Sequence, residues 1–185
     1  PDLLILFDQS ENNLFNIENH CINIGQKIGL HAILGDIRDP YILDSVFNSF
    51  KPDVVIHAAA YKHVPMQELN PWEAINTNVR GTLNLVKAAE NHNVDRFVLV
   101  STDKAVNPAN VMGATKRIAE KIIQAKSKNS NVNYMAVRFG NVIGSSGSVI
   151  PIFQEQIKKG GPVTITDPKI KRYFMSIPEA AQLIL

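Results

Sequence analysis

The sequence predicts an α/β fold, a doubly wound parallel sheet covered by helices on both faces. Three observations predict it. Apolar runs of strand length alternate with segments of helical periodicity along most of the chain. The strand-like runs are continuous in Val, Ile and Leu, as strands buried on both faces are. The 185 residues, 45% hydrophobic and 19% charged, have the composition of one ordinary globular domain.

The first strand is "LLILF" (3–7). Ser10 opens a helix as its N-cap, and Leu14, Ile17, Cys21, Ile24 and Ile28 recur at helical spacing, so this helix is expected to reach about residue 28. "LHAILGD" (30–36) reads as a strand and "DPYILDSVFNSF" (39–50) as a helix with Pro40 in its first turn. "DVVIHAAA" (53–60) is a strand, followed by a long helix over about 71–92 and the strand "RFVLVS" (96–101). A helix from Met112 to about Lys126 and the strand "NYMAVRF" (133–139) complete the regular part. After Gly140 the alternation loosens and glycine and proline accumulate, which divides the chain into a regular portion, 1–140, and a smaller one, 141–185.

A net charge of +2, with Lys and Arg scattered rather than blocked, predicts no nucleic-acid or membrane-surface partner. A single cysteine, Cys21, rules out a disulfide framework and fits a reducing compartment. The five histidines lack metal-ligand spacing, so no metal is expected. No apolar run approaches the ~18 residues of a membrane span, and no signal-peptide pattern is present.

A dinucleotide-binding sheet of this class opens with a strand, a G-x-G-x-x-G-type turn and a helix whose N-terminus holds the pyrophosphate. This sequence has no such turn. It begins with a strand ending at Asp8, an acid in the position that follows the glycine motif by ~20 residues and bonds the adenosine ribose. An acid there repels a 2′-phosphate, which favours NAD. In the strand order 3-2-1-4-5-6 the first strand is central, so its absence is expected to leave two open sheet edges. The chain is accordingly read as part of a longer protein, and the apolar helical pattern of "PEAAQLIL" at its end points the same way.

Four stretches together resemble the extended short-chain dehydrogenase/reductase superfamily, which implies a Rossmann-like sheet. "GDIRD" (35–39) matches the acidic turn that contacts adenine, here through Asp36 and Ile37. "HAAAYKHVP" (57–65) matches the segment beside the cofactor ribose and phosphates, which implicates Ala58, Ala59 and Ala60. "NTNVRGT" (76–82) matches the helix asparagine motif, with Asn78 in the key place and a cofactor role implied. "RFGNVIG" (138–144) matches the segment whose asparagine, here Asn141, touches a sugar nucleotide. Within the superfamily, "AAYKHVP", "STDKAVNPANVMGATK" (101–116) and "KRYFMSIPEA" (171–180) look like the polysaccharide-biosynthesis dehydratases that act on UDP-N-acetylhexosamines. Met112 stands four residues before Lys116, where smaller relatives carry tyrosine. The similarity is closest to the large members, which have a membrane-spanning N-terminal region. It implies a cytoplasmic enzyme, held at the inner membrane where that region is present, and a homo-oligomer paired through the two long helices.

A 4,6-dehydratase takes hydride from carbon 4, removes the carbon 5 proton, expels the carbon 6 hydroxyl and returns hydride to carbon 6. The resemblance gives Thr102 the carbon 4 oxygen and Lys116 the nicotinamide ribose. Lys104 is the expected base for carbon 5, provided that burial and the positive nicotinamide ring favour its neutral form. Asp103 is the expected acid for the departing hydroxyl, which asks for a carboxyl kept protonated in a low-dielectric site. The Met112 thioether cannot take a proton, so the carbon 4 hydroxyl proton goes to Asp103 or a bound water. Lys62 and His63 are candidates for substrate phosphate or sugar contacts. Arg172, with its planar fork, suits the diphosphate. "GSSGSVIP" (144–151) reads as a substrate loop rather than a nucleotide loop. Two other readings stay open: a sugar-nucleotide epimerase of the same superfamily, and a non-catalytic NAD-binding protein.

Overall fold

The computed structural model describes residues 1–25, 28–144, 149–165, 167–169 and 171–185. Strand β1 (Leu3–Asp8) pairs in parallel with β2 (Gly29–Leu34). Strands β3 (Val54–His57), β4 (Arg96–Thr102) and β5 (Asn133–Phe139) form a second parallel ladder with β4 in the middle. Among the described residues no ladder joins β1 to β3. That break lies where the expected strand order has its central strand. Val54 and Ile56 on β3 are left 45% and 48% exposed, although their apolar run is of the kind that is normally covered on both faces.

The helices follow their capping chemistry. Ser10 caps α1 (Glu11–Asn23) by accepting from the Asn13 amide. That helix stops short of residue 28 because Gly25 takes the left-handed conformation (φ +68) that glycine adopts without steric cost. Asp39 accepts from the amides of Tyr41 and Ile42 to start α2 (Pro40–Phe50). β3 spans only half of its expected run, and Ala58–Ala60 continue as a loop. A short helix that the periodicity did not announce, α3 (Val64–Leu69), follows. The long helix is present but composite. α4 (Pro71–Ala74) passes through a π-helical turn, Ile75–Gly81, into α5 (Thr82–Asn91). Asn110 caps α6 (Val111–Lys126) by accepting from the Gly113 amide. The last part of the chain holds a two-residue parallel pair, β6 (Asn141–Val142) with β7 (Phe174–Met175), and two helices, α7 (Val149–Lys158) and α8 (Ile177–Ile184).

One core holds the two sheets together. Leu43 and Phe47 of α2 pack with Leu85 and Val86 of α5, Phe97 and Leu99 of β4, and Ala119 and Ile123 of α6. Ile37, after β2, is buried against Gly81, where an added Cβ would come within 2.7 Å of its Cγ1. The Asn84 amide donates to the carbonyls of Ile37 and Arg38 at 3.1 Å each, fixing that turn to α5. Among the described residues no helix is long and apolar enough to cross a membrane.

Candidate active site

Because β3, β4 and β5 run parallel, their C-terminal ends open on one side. There they line a cleft of about 840 Å³. The cleft gathers Ala58, Ala60, Lys62 and His63 from beyond β3, Thr102 and Lys104 from the end of β4, and Met112 and Lys116 from α6. Asn141 and Arg172 complete the opposite wall. The β6–β7 pair brings those two together: the Asn141 amide donates to the Tyr173 carbonyl at 2.9 Å. Gly140 permits this approach, since a Cβ there would lie 2.7 Å from the same carbonyl. Of the expected substrate loop, residues 145–148 lie outside the described residues.

Thr102 ends β4 and caps a 3-10 turn, Asp103–Ala105, accepting from the Lys104 amide. Its hydroxyl donates to Asp103 Oδ1 at 2.9 Å, and Lys104 Nζ donates to the same oxygen at 3.0 Å. Burial raises the Asp103 pKa, but the Lys104 and Thr102 hydrogen bonds outweigh it and hold the carboxyl below the ordinary carboxylate range. The expectation of a carboxyl kept protonated by its surroundings is therefore corrected. The side chain is 41% exposed and paired with an ammonium, so it rests ionised. Gly113 lets α6 close on this turn, because a Cβ there would meet the Lys104 carbonyl at 2.6 Å.

Met112 and Lys116 share one face of α6 and are 4% and 6% exposed. Lys116 Nζ donates to the Val100 carbonyl at 2.6 Å. Burial pushes its pKa down to about 8, with Glu120 acting in the opposite direction. Asn78, expected to serve the cofactor, is bonded within the protein. Its Oδ1 accepts from the Tyr61 amide at 2.8 Å, and its Nδ2 donates to the Tyr61 carbonyl at 3.1 Å and to Thr115 Oγ1 at 3.0 Å. Both amide protons are used within the protein, so Asn78 ties the loop after β3 to α6. His57, which the sequence reading passed over, is 2% exposed and 2.8 Å from Thr82 Oγ1. That hydroxyl already donates to the Asn78 carbonyl, so His57 Nε2 is the donor. Burial, with Lys116 nearby, pushes its pKa down to about 3.

The residues expected at the adenosine end sit at the C-terminal ends of β1 and β2. Asp8 Oδ1 accepts from the Ser10 amide at 2.7 Å. Asp36 takes two bonds from Arg38, from the backbone amide at 2.8 Å and from Nε at 2.7 Å, and these hold its carboxyl below the usual range. The Ile37 side chain belongs to the core, which leaves its backbone for any adenine contact. Ala58 and Ala59 are exposed and small, so a ligand can approach the loop backbone there. The Lys116 ammonium makes one protein hydrogen bond at the cleft wall and has two further protons. Asp8, Asp36 and Lys116 are the groups of this chain that would hold a dinucleotide.

The family described as "Polysaccharide biosynthesis protein" matches residues 1–185. Capsular polysaccharide biosynthesis protein CapD of Staphylococcus aureus is 50% identical, over 100% of this chain and 31% of that protein. UDP-glucose 4-epimerase of Rickettsia canadensis is 44% identical, over 84% of the chain and 46% of its own length. The chain thus spans less than half of either relative. The X-ray structure of Pen from Bacillus thuringiensis superposes with a TM-score of 0.91 at 37% identity, covering 100% of this chain and 56% of that one. The Bordetella bronchiseptica enzyme WbmG, solved with NAD and UDP, superposes with a TM-score of 0.75 at 25% identity, covering 100% and 68%. With the match running from the first residue to the last, the chain belongs to the polysaccharide biosynthesis protein family of extended short-chain dehydrogenase/reductases.

Proposed function

We propose that the protein is an NAD-dependent 4,6-dehydratase of a UDP-N-acetylhexosamine, serving polysaccharide or glycan synthesis. The observation that carries this reading is the Thr102–Asp103–Lys104 chain of hydrogen bonds at the end of β4, beside a buried methionine where a tyrosine is otherwise expected. Residues 1–140 form the NAD-binding portion, and 141–185 contribute to the substrate side through Asn141 and Arg172. Lys62 and His63 face the substrate phosphates or sugar from the other wall. The exposed Leu69 (80%), Trp72 (74%) and Ile118 (46%) on α3, α4 and α6 fit pairing with a second subunit.

When bound, NAD supplies the hydride chemistry, accepting hydride from carbon 4 and returning it to carbon 6. The protein handles the protons. Thr102 takes the carbon 4 hydroxyl proton and passes its own to Asp103, along a bond whose donor already points that way. Asp103 so gains the proton that it delivers to the departing carbon 6 hydroxyl, which leaves as water. Lys104, once it has released its ammonium proton to solvent, removes the carbon 5 proton as the neutral amine and later returns a proton there. Asp103 ends ionised and Lys104 neutral, as they began in the substrate complex. This relay removes the need for a permanently protonated Asp103, and it leaves Met112 no proton to carry.

A second reading, sugar-nucleotide 4-epimerase, is favoured by the name of the Rickettsia relative. Inversion at carbon 4 alone gives the Asp103–Lys104 pair no task. Mass spectrometry of the product from UDP-N-acetylglucosamine, made by the full-length protein with NAD, separates the two readings. Dehydration lowers the mass by one water, and Lys104→Ala slows it by roughly 10³-fold. A product of unchanged mass overturns the dehydratase reading.

A further inference from the structure

Glu120 lies four residues beyond Lys116 on α6, one turn further along the same face. It is 7% exposed, and its carboxylate accepts hydrogen bonds from three elements. Ser101 Oγ of β4 donates to Oε1 at 2.6 Å. Arg138 of β5 donates through Nε to Oε1 at 2.8 Å and through Nη2 to Oε2 at 2.7 Å. Arg117 Nη1 donates to Oε2 at 3.0 Å.

Each donor adjoins a residue of the cleft. Ser101 precedes Thr102 and follows Val100, whose carbonyl holds Lys116 Nζ. Arg138 lies shortly before Asn141, and Arg117 follows Lys116. One carboxylate therefore ties the ends of β4 and β5 to the middle of α6, the three elements that carry the site. A buried ion pair is seldom worth more to stability than apolar side chains of the same volume. What apolar packing cannot supply here is a fixed negative charge one helical turn from a buried ammonium.

We propose that Glu120 is a positioning residue for the catalytic centre: it locks the end of β4 against α6 and β5 and supplies the negative potential that Lys116 experiences. The proposal rests on Lys116 as the site lysine and does not require the reaction to be a dehydration. The other charged or titratable groups around the pair are His57 at the end of β3, held neutral, Asp103 and Lys104 on the turn packed against α6, Arg117 on α6 and Arg138 on β5. Burial raises the Glu120 pKa, but the bonds from Arg138, Ser101 and Arg117 outweigh it and bring it to about 2, so the charge is present throughout the working range.

The test is the Lys116 titration, followed by NMR of lysine labelled at Cε in the full-length protein without added cofactor, alongside melting temperature and NAD affinity. In Glu120→Gln the Lys116 midpoint moves below about 8, and NAD binding at pH 8 weakens by about tenfold. Glu120→Asp, which keeps the charge, brings the midpoint back towards the native value. A midpoint unchanged in Glu120→Gln, with only the melting temperature lowered, overturns the proposal and leaves Glu120 a structural residue. If Glu120→Gln does not fold, Ser101→Ala decides, because it leaves the carboxylate and both arginines in place. NAD affinity lower by a few-fold at an unchanged melting temperature supports the lock, and unchanged affinity overturns it.

Discussion

The two walls of the cleft are built in opposite ways. The wall of β4 and α6 rests on a core in which Phe97 and Leu99 are fully buried, and its polar side chains are fastened to one another: Asn78 to Tyr61 and Thr115, Ser101 to Glu120, Lys116 to Val100. The wall of residues 141–185 rests on a two-residue strand pair, and Ala180 is its one buried hydrophobic side chain among the described residues. Proton transfer requires fixed distances, and the groups given that task in the proposed mechanism sit on the packed wall. Recognition of a nucleotide sugar tolerates adjustment, and Arg172 and Asn141, to which the proposed function gives that task, sit on the wall with little core behind it.

This contrast breaks if chemistry and stability respond alike on both sides. The largest effect is expected at Lys104. Lys104→Ala lowers turnover by roughly 10³-fold, as loss of a general base does, while the melting temperature holds because the pair it leaves is partly exposed. Asn78→Ala comes next. It removes the side-chain partner of the part-buried backbone groups of Tyr61, while Thr115 keeps its bond to the Met112 carbonyl, and urea denaturation should show a loss of about 1–3 kcal/mol together with reduced turnover. Arg172→Ala, on the loosely packed wall, raises KM by roughly tenfold and leaves the melting temperature unchanged. An equal loss of stability at Arg172 and at Asn78 would erase the distinction between the walls.

The last effects are in the pH dependence of stability. His57 has its folded value near 3 against 6.5 unfolded, so the unfolded chain binds more protons between those limits. Its contribution is complete above pH 6.5 and is lost as the pH falls towards 3. Lys116 has its folded value near 8 against 10.5, so its unfavourable burial is relieved as the pH rises through 8 towards 10.5. Denaturation midpoints across pH should follow both trends, and His57→Asn should flatten the acid limb.

The sequence located most elements to within a residue or two, because continuous Val and Ile runs and Ser, Asp and Asn caps act locally. It did not reveal α3, whose six residues are too few to show a helical period and contain Pro65. The π-helical turn at Ile75–Gly81 leaves no trace in composition. At the site, Thr102, Lys104, Lys116, Asn141 and Arg172 were expected from the family resemblance, and the structure gathers them in one cleft. The ionised state of Asp103 was not legible, because it depends on how exposed the carboxyl is and on where the Lys104 ammonium lies. Nor was the role of Asn78, whose partners stand 17 and 37 residues away. Glu120 escaped notice because Ser101 and Arg138 lie 19 and 18 residues from it, far beyond any helical pattern.

The central claim is that the Asp103–Lys104 pair carries out an elimination. The most direct test is to incubate the full-length protein with NAD and UDP-N-acetylglucosamine in deuterated water and examine the sugar by NMR. The account predicts a 4-keto-6-deoxy sugar nucleotide with deuterium at carbon 5. A hexosamine inverted at carbon 4, with its carbon 6 hydroxyl intact and no deuterium at carbon 5, would contradict it.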